Sequence, residues 1–146
     1  MKTLLARTAL SLLLAAAGAM SVPSPAMAAD PDPTAAAQGA AVKWLSLVDG
    51  ARYAQSWDEA SAYFRGSITK PAWEAALKGA RAPLGAVTRR SLKTAVAKTS
   101  LPGVPDGEYV VIEFETGFEH KAGAVETVTP MKEKDGSWKV SGYFVK

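Results

Sequence analysis

The 146-residue chain has no cysteine and a single histidine, His120. Without thiols there is no disulfide framework, no thiolate nucleophile and no lipid-attachment cysteine, so an oxidising compartment is permitted but not exploited. With one imidazole, a His pair at i and i+4 does not exist and only carboxylates remain as metal donors; no zinc or iron site is expected. The sequence also lacks a Gly-x-Ser-x-Gly elbow, and His120 is the sole base available to any serine, which removes the usual basis for a serine hydrolase. Gly103 and Gly107 stand in a proline loop and not ahead of a helix, so a nucleotide phosphate has no cradle. No cofactor is expected. His120 itself falls in a predicted hairpin turn, where a solvated role suffices.

Long apolar runs are also missing, except at the start of the chain. There, basic Lys2 and Arg7 precede an apolar stretch from Ala9 to Ala19 and a small-residue site at Ala26-Met27-Ala28. These are the three zones of a secretory signal, so residues 1–28 read as a signal peptide cleaved between Ala28 and Ala29. The stretch is short of the roughly 20 apolar residues a spanning helix needs, and Pro23 and Pro25 would break any helix that continued past it. The expectation is an exported bacterial protein, periplasmic or secreted, with no stable membrane anchor. Removing the signal leaves 15 basic against 14 acidic residues. No block of like charge survives, and nucleic acid or anionic lipid is not an expected partner.

Residues 29–34, with Pro31 and Pro33, read as a disordered leader, and residues 35–146 as one domain. Ala37, Ala41, Trp44, Leu45 and Val48 recur at helical spacing, with Gly50 placed for a left-handed cap. Ser56 and Glu59 are spaced as a capping box, which predicts a second helix from Trp57 to about Gly66. Thr69-Lys70-Pro71 starts a third, whose buried stripe is Trp73, Ala76, Leu77 and Ala80 and which Arg81 closes. After Gly85 the period becomes alternating, giving strands at about 86–100, 108–118, 124–133 and 137–145. Asp135-Gly136 suits a two-residue type I′ turn, and a tight turn is placed at His120-Lys121.

Those turns set the register. They pair Thr116 with Val125, Phe114 with Thr127, Thr129 with Gly142, Thr127 with Phe144 and Met131 with Val140. One face then gathers Val110, Ile112, Phe114, Val125, Met131, Trp138, Val140 and Phe144 against the helices. The other gathers Glu113, Glu115, Glu126, Val128 and Tyr143, joined by Arg89 and Lys93. The fold class is α+β, three N-terminal helices packed on a curved four-stranded antiparallel sheet. The four tryptophans read as core, with indole N–H groups that need internal partners.

The element order is similar to the cone of the nuclear-transport-factor-2-like superfamily. More specifically, Trp44-Leu45-Ser46-Leu47-Val48-Asp49, Ser56-Trp57, Arg81-Ala82-Pro83-Leu84-Gly85, Leu101-Pro102-Gly103, Pro105-Asp106-Gly107-Glu108-Tyr109, Glu126-Thr127-Val128-Thr129-Pro130 and Asp135-Gly136-Ser137-Trp138 with Gly142-Tyr143-Phe144 resemble the family called domain of unknown function 4019. The resemblance implies an exported or membrane-associated bacterial protein and no particular activity.

Glu115 facing Glu126 would repel unless a cation lies beside them, and Arg89 or Lys93 is in reach. A salt-bridge ladder on a solvated face accounts for this; an anionic ligand held by Glu126 with Arg89 is the functional version. With an inward face polar only at Thr127, Thr129 and Tyr63, the expected function is a non-catalytic domain binding a small apolar ligand or a protein partner. The alternative is an isomerase- or lyase-like enzyme, which needs Glu126, Tyr63 or Tyr143 in a pocket; a one-residue slip of either hairpin delivers that. A homodimer through the outer sheet face around Val128, Tyr143 and Val145 is the third expectation.

Overall fold

The computed structural model describes residues 32–146. The expected signal peptide and the first residues of the expected leader lie outside them. Helix α1 (Pro33–Asp49) begins two residues before the expected start of the domain, with Asp32 accepting from the Thr34 amide at 2.9 Å and Pro33 in the first turn, where it sacrifices no helical bond. The predicted stripe of α1 is buried in full. Its end differs in detail. Gly50 has a negative φ, and Ala51 takes the left-handed position at φ 55°. The amides of Ala51 and Arg52 return to the carbonyls of Val48 and Leu47, the paired bonds of a Schellman cap built one residue later than expected.

The predicted second helix is two short ones, α2 (Tyr53–Asp58) and α3 (Ala62–Ser67), so among the described residues four α-helices precede the sheet. Ser61 is the cap, accepting from Phe64 N at 3.0 Å, and Ser56 is not. Ser56 lies inside α2 and is fully buried, where its carbonyl accepts from Trp44 Nε1 at 2.8 Å and its hydroxyl from Trp73 Nε1 at 3.0 Å. Burying two indoles made these bonds more valuable than a cap, since an unpaired buried N–H costs about 1–3 kcal/mol. Trp57 Nε1 donates to the Ile68 carbonyl, so a third indole also has an internal partner. Helix α4 (Lys70–Arg81) buries Trp73, Leu77 and Arg81, while Ala76 and Ala80 remain exposed.

The strands are β1 (Val87–Lys98), β2 (Tyr109–Phe118), β3 (Lys121–Lys132) and β4 (Trp138–Val145), an antiparallel meander in the order β1-β2-β3-β4. Helix α1 rests on all four strands, and α4 packs on α2. The core joins Trp44, Leu45, Val48, Phe64, Trp73 and Leu77 of the helices to Val110, Ile112, Phe114, Val128 and Val140 of the sheet. Each such side chain contributes about 1.5–3 kcal/mol through burial.

Two register findings decide which side chains join that core. At the β3–β4 hairpin, Glu133 and Ser137 flank a three-residue loop in which only Gly136 has positive φ, so the turn is not type I′. A bulge between Thr129 and Pro130 offsets the extra residue, and Thr129–Gly142 and Thr127–Phe144 pair as expected, whereas Met131 faces Lys139. At the β2–β3 hairpin no such cancellation occurs. The turn is Glu119-His120, a bulge follows between Thr116 and Phe118, and Phe114 pairs with Glu126, Thr116 with Ala124 and Glu115 with Val125. That is one residue from the expected register, and one residue turns every side chain of β3 over. Glu126, Val128 and Tyr143 therefore face the helices, and Val125 and Phe144 face outward.

Candidate functional site

Five polar side chains from five elements meet where the last turns of α1 and α4 reach the sheet. Asp49 ends α1, Arg81 ends α4, and Arg90, Glu126 and Tyr143 come from β1, β3 and β4. The local sequence explains each position. Arg81 suits the negative end of its helix dipole, whereas Asp49 occupies an end that disfavours an anion and needs compensating cations. Glu126 has the inward parity of Ala124 and Val128 and is 0 % exposed. An isolated carboxylate there would be untenable.

Compensation is complete at Glu126. Its Oε1 accepts from Arg90 Nε at 3.0 Å and Arg90 NH2 at 2.8 Å, and its Oε2 accepts from the Tyr143 hydroxyl at 2.8 Å with Arg81 NH1 at 3.9 Å. Arg90 uses its other edge on Asp49, NH1 to Oδ2 at 2.8 Å and NH2 to Oδ1 at 3.0 Å. Arg81 NH2 donates to the same Asp49 Oδ1 at 2.8 Å, and its NH1 donates to the Tyr143 oxygen at 3.3 Å. Two guanidinium groups and two carboxylates thus close a neutral loop. The Arg81 guanidinium also lies 4.9 Å from the Phe118 ring centroid.

The titrations are consequences of this packing. Burial acts to raise the Asp49 carboxyl, but hydrogen bonds from Arg90 and Arg81 and their charges overcome it and hold the group below its ordinary value. Burial raises the Tyr143 phenol, and the Glu126 charge raises it further against the opposing charge of Arg81. Both arginines are held more firmly protonated, because the bonds and charges of Asp49 and Glu126 outweigh their burial. Two buried polar atoms, Arg81 Nε and Thr116 Oγ1, have no partner among the described residues.

Of the residues singled out from sequence, Glu126 and Tyr143 belong to this cluster and Arg89 and Tyr63 do not. Arg89 lies on the opposite face and donates to the Ala122 carbonyl at 3.1 Å. Tyr63 is on α3, its hydroxyl 3.4 Å from the Gly103 carbonyl. The expected Arg89–Glu126 pair is instead Arg90–Glu126, and Glu115 does not face Glu126. Lys93 reaches Glu113, at 3.8 Å. Of the expected outer-face trio, Val128 is buried inward and Tyr143 packs 5.5 Å from the Trp44 ring. Sequence reasoning missed Asp49 and Arg90. The available signal was an acid, Glu126, at the parity of an otherwise apolar strand face, which demands cations from the adjoining strand and helix ends.

General base catalysis needs a carboxylate oxygen open to substrate. Neither oxygen of Glu126 is open, and it lines none of the larger clefts found among the described residues. One, of about 570 Å³, is a broad hollow between the α1–α2 turn and α4 with Arg52, Glu74 and Lys78 on it. Another, of about 200 Å³, is an apolar groove between α4 and β4 lined by Trp73, Ala76, Leu77, Ala80, Tyr143, Phe144 and Val145. Among the described residues no three His, Cys, Asp or Glu side chains are grouped to hold a metal ion, and no helix is long and apolar enough to cross a membrane.

A family model described as protein of unknown function (DUF4019) matches residues 40–143. The matched span includes all five residues of the ionic cluster. No curated protein matches the chain.

Proposed function

The chain belongs to the DUF4019 family, and we propose that it is an exported, non-catalytic binding domain that holds a small apolar group in the groove between α4 and β4. The observation behind this reading is the saturation of Glu126: the one acid turned toward the helices from β3 is spent on Arg90, Tyr143 and Arg81. What remains open beside it is apolar. Trp73, Ala76, Leu77 and Ala80 of the α4 side meet Tyr143 and Val145 of β4 there, with no charged side chain on the lining. The groove is smaller than the roughly 300–1,000 Å³ of pockets that hold drug-sized ligands, so its occupant is a small molecule or one apolar side chain of a protein partner. Export is supported by the basic, apolar and small-residue zones of residues 1–28, and a likeness to nuclear-transport-factor-2-like cones by the helices-then-meander order.

One observation favours an isomerase- or lyase-like reading. Tyr143 lines the groove and also donates to Glu126, so a moving phenol would connect a ligand to the acid. Native mass spectrometry of protein recovered from the exported fraction, with a benzophenone cross-linker at Ala80 as its companion, separates the readings. A co-purifying small molecule or one discrete cross-linked protein is expected, and Ala76→Leu with Ala80→Leu should abolish it by filling the groove. Absence of both would overturn the binding reading. Chemical conversion of a bound molecule that stops in a folded Glu126→Gln protein would replace it with the enzyme.

A further inference from the structure

The opposite face of the sheet holds a second charged group with a different character. Arg89, Lys121 and Lys146 surround a hollow of about 430 Å³ together with Glu115, Gly123, Ala124 and Val125. None of these four charged side chains takes part in the ion pairs among the described residues. Among its lining side chains three cations stand against one carboxylate. The inner cluster is neutral and closed, whereas this one has unspent positive charge and open space.

The hollow is also shaped by the backbone. Two bulges meet beside it, one in β1 between Val87 and Arg89 and one between Thr116 and Phe118 at the β2–β3 pairing. Bulges re-aim side chains out of the regular alternation. Between them lies Gly117, where a Cβ would stand 2.9 Å from Thr88 Oγ1, 3.0 Å from Arg89 Cγ and 3.2 Å from the Ala122 carbonyl oxygen. The missing side chain lets Arg89 lie flat across β2 and donate through NH2 to Ala122 on β3. One edge of the guanidinium is thereby fixed and its other N–H groups are left for a ligand, so much of the ordering cost is met before binding. Lys146 Nζ rests 5.3 Å from the Phe144 ring, which steadies a second cation at the rim.

We propose that this hollow binds a small oxyanion, a carboxylate or phosphate group, that carries a neighbouring hydroxyl or ammonium. Arg89 takes the oxyanion in its planar fork, Lys121 and Lys146 add point charges, and Glu115 accepts from the ligand's donor. The site is on the other face of the sheet from the α4–β4 groove and stands or falls independently of it.

The test is an NMR titration of the exported chain, recording backbone amide shifts with sodium citrate and with inorganic phosphate, each against sodium chloride at matched ionic strength. Saturable shifts confined to Arg89, Gly117 and residues 121–125 are expected. Saturation by citrate alone identifies a hydroxycarboxylate, and saturation by phosphate alone a phosphate-bearing ligand. Arg89→Met should weaken binding at least tenfold, with Lys121→Met as the second variant if the first loses its fold. Shifts that match those in chloride, do not saturate, or persist unchanged in both variants would overturn the site.

Discussion

Tyr143 is the residue on which the interior and the groove converge. Its ring packs against Trp44, its hydroxyl donates to Glu126 and accepts from Arg81, and its flank lines the groove between α4 and β4. Removing only the hydroxyl, Tyr143→Phe, leaves Glu126 Oε2 with a single distant cation and should cost about 1–3 kcal/mol in urea denaturation at pH 7. The phenol also gives a pH signature. Its folded pKa lies above the ordinary value of about 10 that the unfolded chain retains. The unfolded state therefore releases its proton first as pH rises. Stability from this group is full below about pH 10 and declines above it. Tyr109, raised by burial as well, shares the trend. The wild type should thus lose more stability than Tyr143→Phe between pH 9 and 11, and the gap between them should narrow; a constant gap would show that the phenol is not ionising under constraint.

Element by element, what the sequence discloses depends on whether local geometry or accumulated register decides the outcome. The stripe of α1 is visible because five apolar residues on one helical face have only one way to be buried. Start signals at Thr69-Lys70-Pro71 and the alternation after Gly85 are legible for the same reason. Ser56 misled because a serine three residues before a glutamate has the spacing of a cap whether or not two indoles need it inside. The β2–β3 hairpin misled because an unforeseen turn position and an unforeseen bulge added to a one-residue offset. At β3–β4 a similar loop error was cancelled by the bulge before Pro130, and the pairing beyond it came out right. The faces of Glu126 and Tyr143, and with them the candidate site, rested on a sum that no single motif reveals. Ala51 offers a test at this scale. An alanine at φ 55° is less comfortable than glycine, and its amide closes the Schellman cap of α1. Ala51→Gly should stabilise the protein by about 0.5–1 kcal/mol in thermal or urea unfolding, because relief of strain exceeds the added freedom of the unfolded chain.

At the scale of the whole molecule, the helices and the meander of the described residues are joined by two different kinds of contact. Trp44, Trp73 and Phe64 form the apolar contact, centred on Ser56, and the loop of Asp49, Arg81, Arg90, Glu126 and Tyr143 forms the ionic one. The ionic loop ties α1 and α4 to β1, β3 and β4, so loss of one member is felt across the fold. A buried ion network need not be more stable than a well-packed apolar substitute, but removing one partner from it strands the others. This separates a structural acid from a catalytic one. A carboxylate kept for chemistry is held at some expense to stability, and its removal leaves the fold equal or firmer. The decisive measurement is the unfolding free energy of Glu126→Gln at pH 7. A loss of about 3–5 kcal/mol with a native-like fold at low denaturant is predicted, because Arg90 and Arg81 would be left with Asp49 as their only counter-ion. A Glu126→Gln protein as stable as the wild type, or more stable, would contradict the account and return Glu126 to the role of a reacting acid.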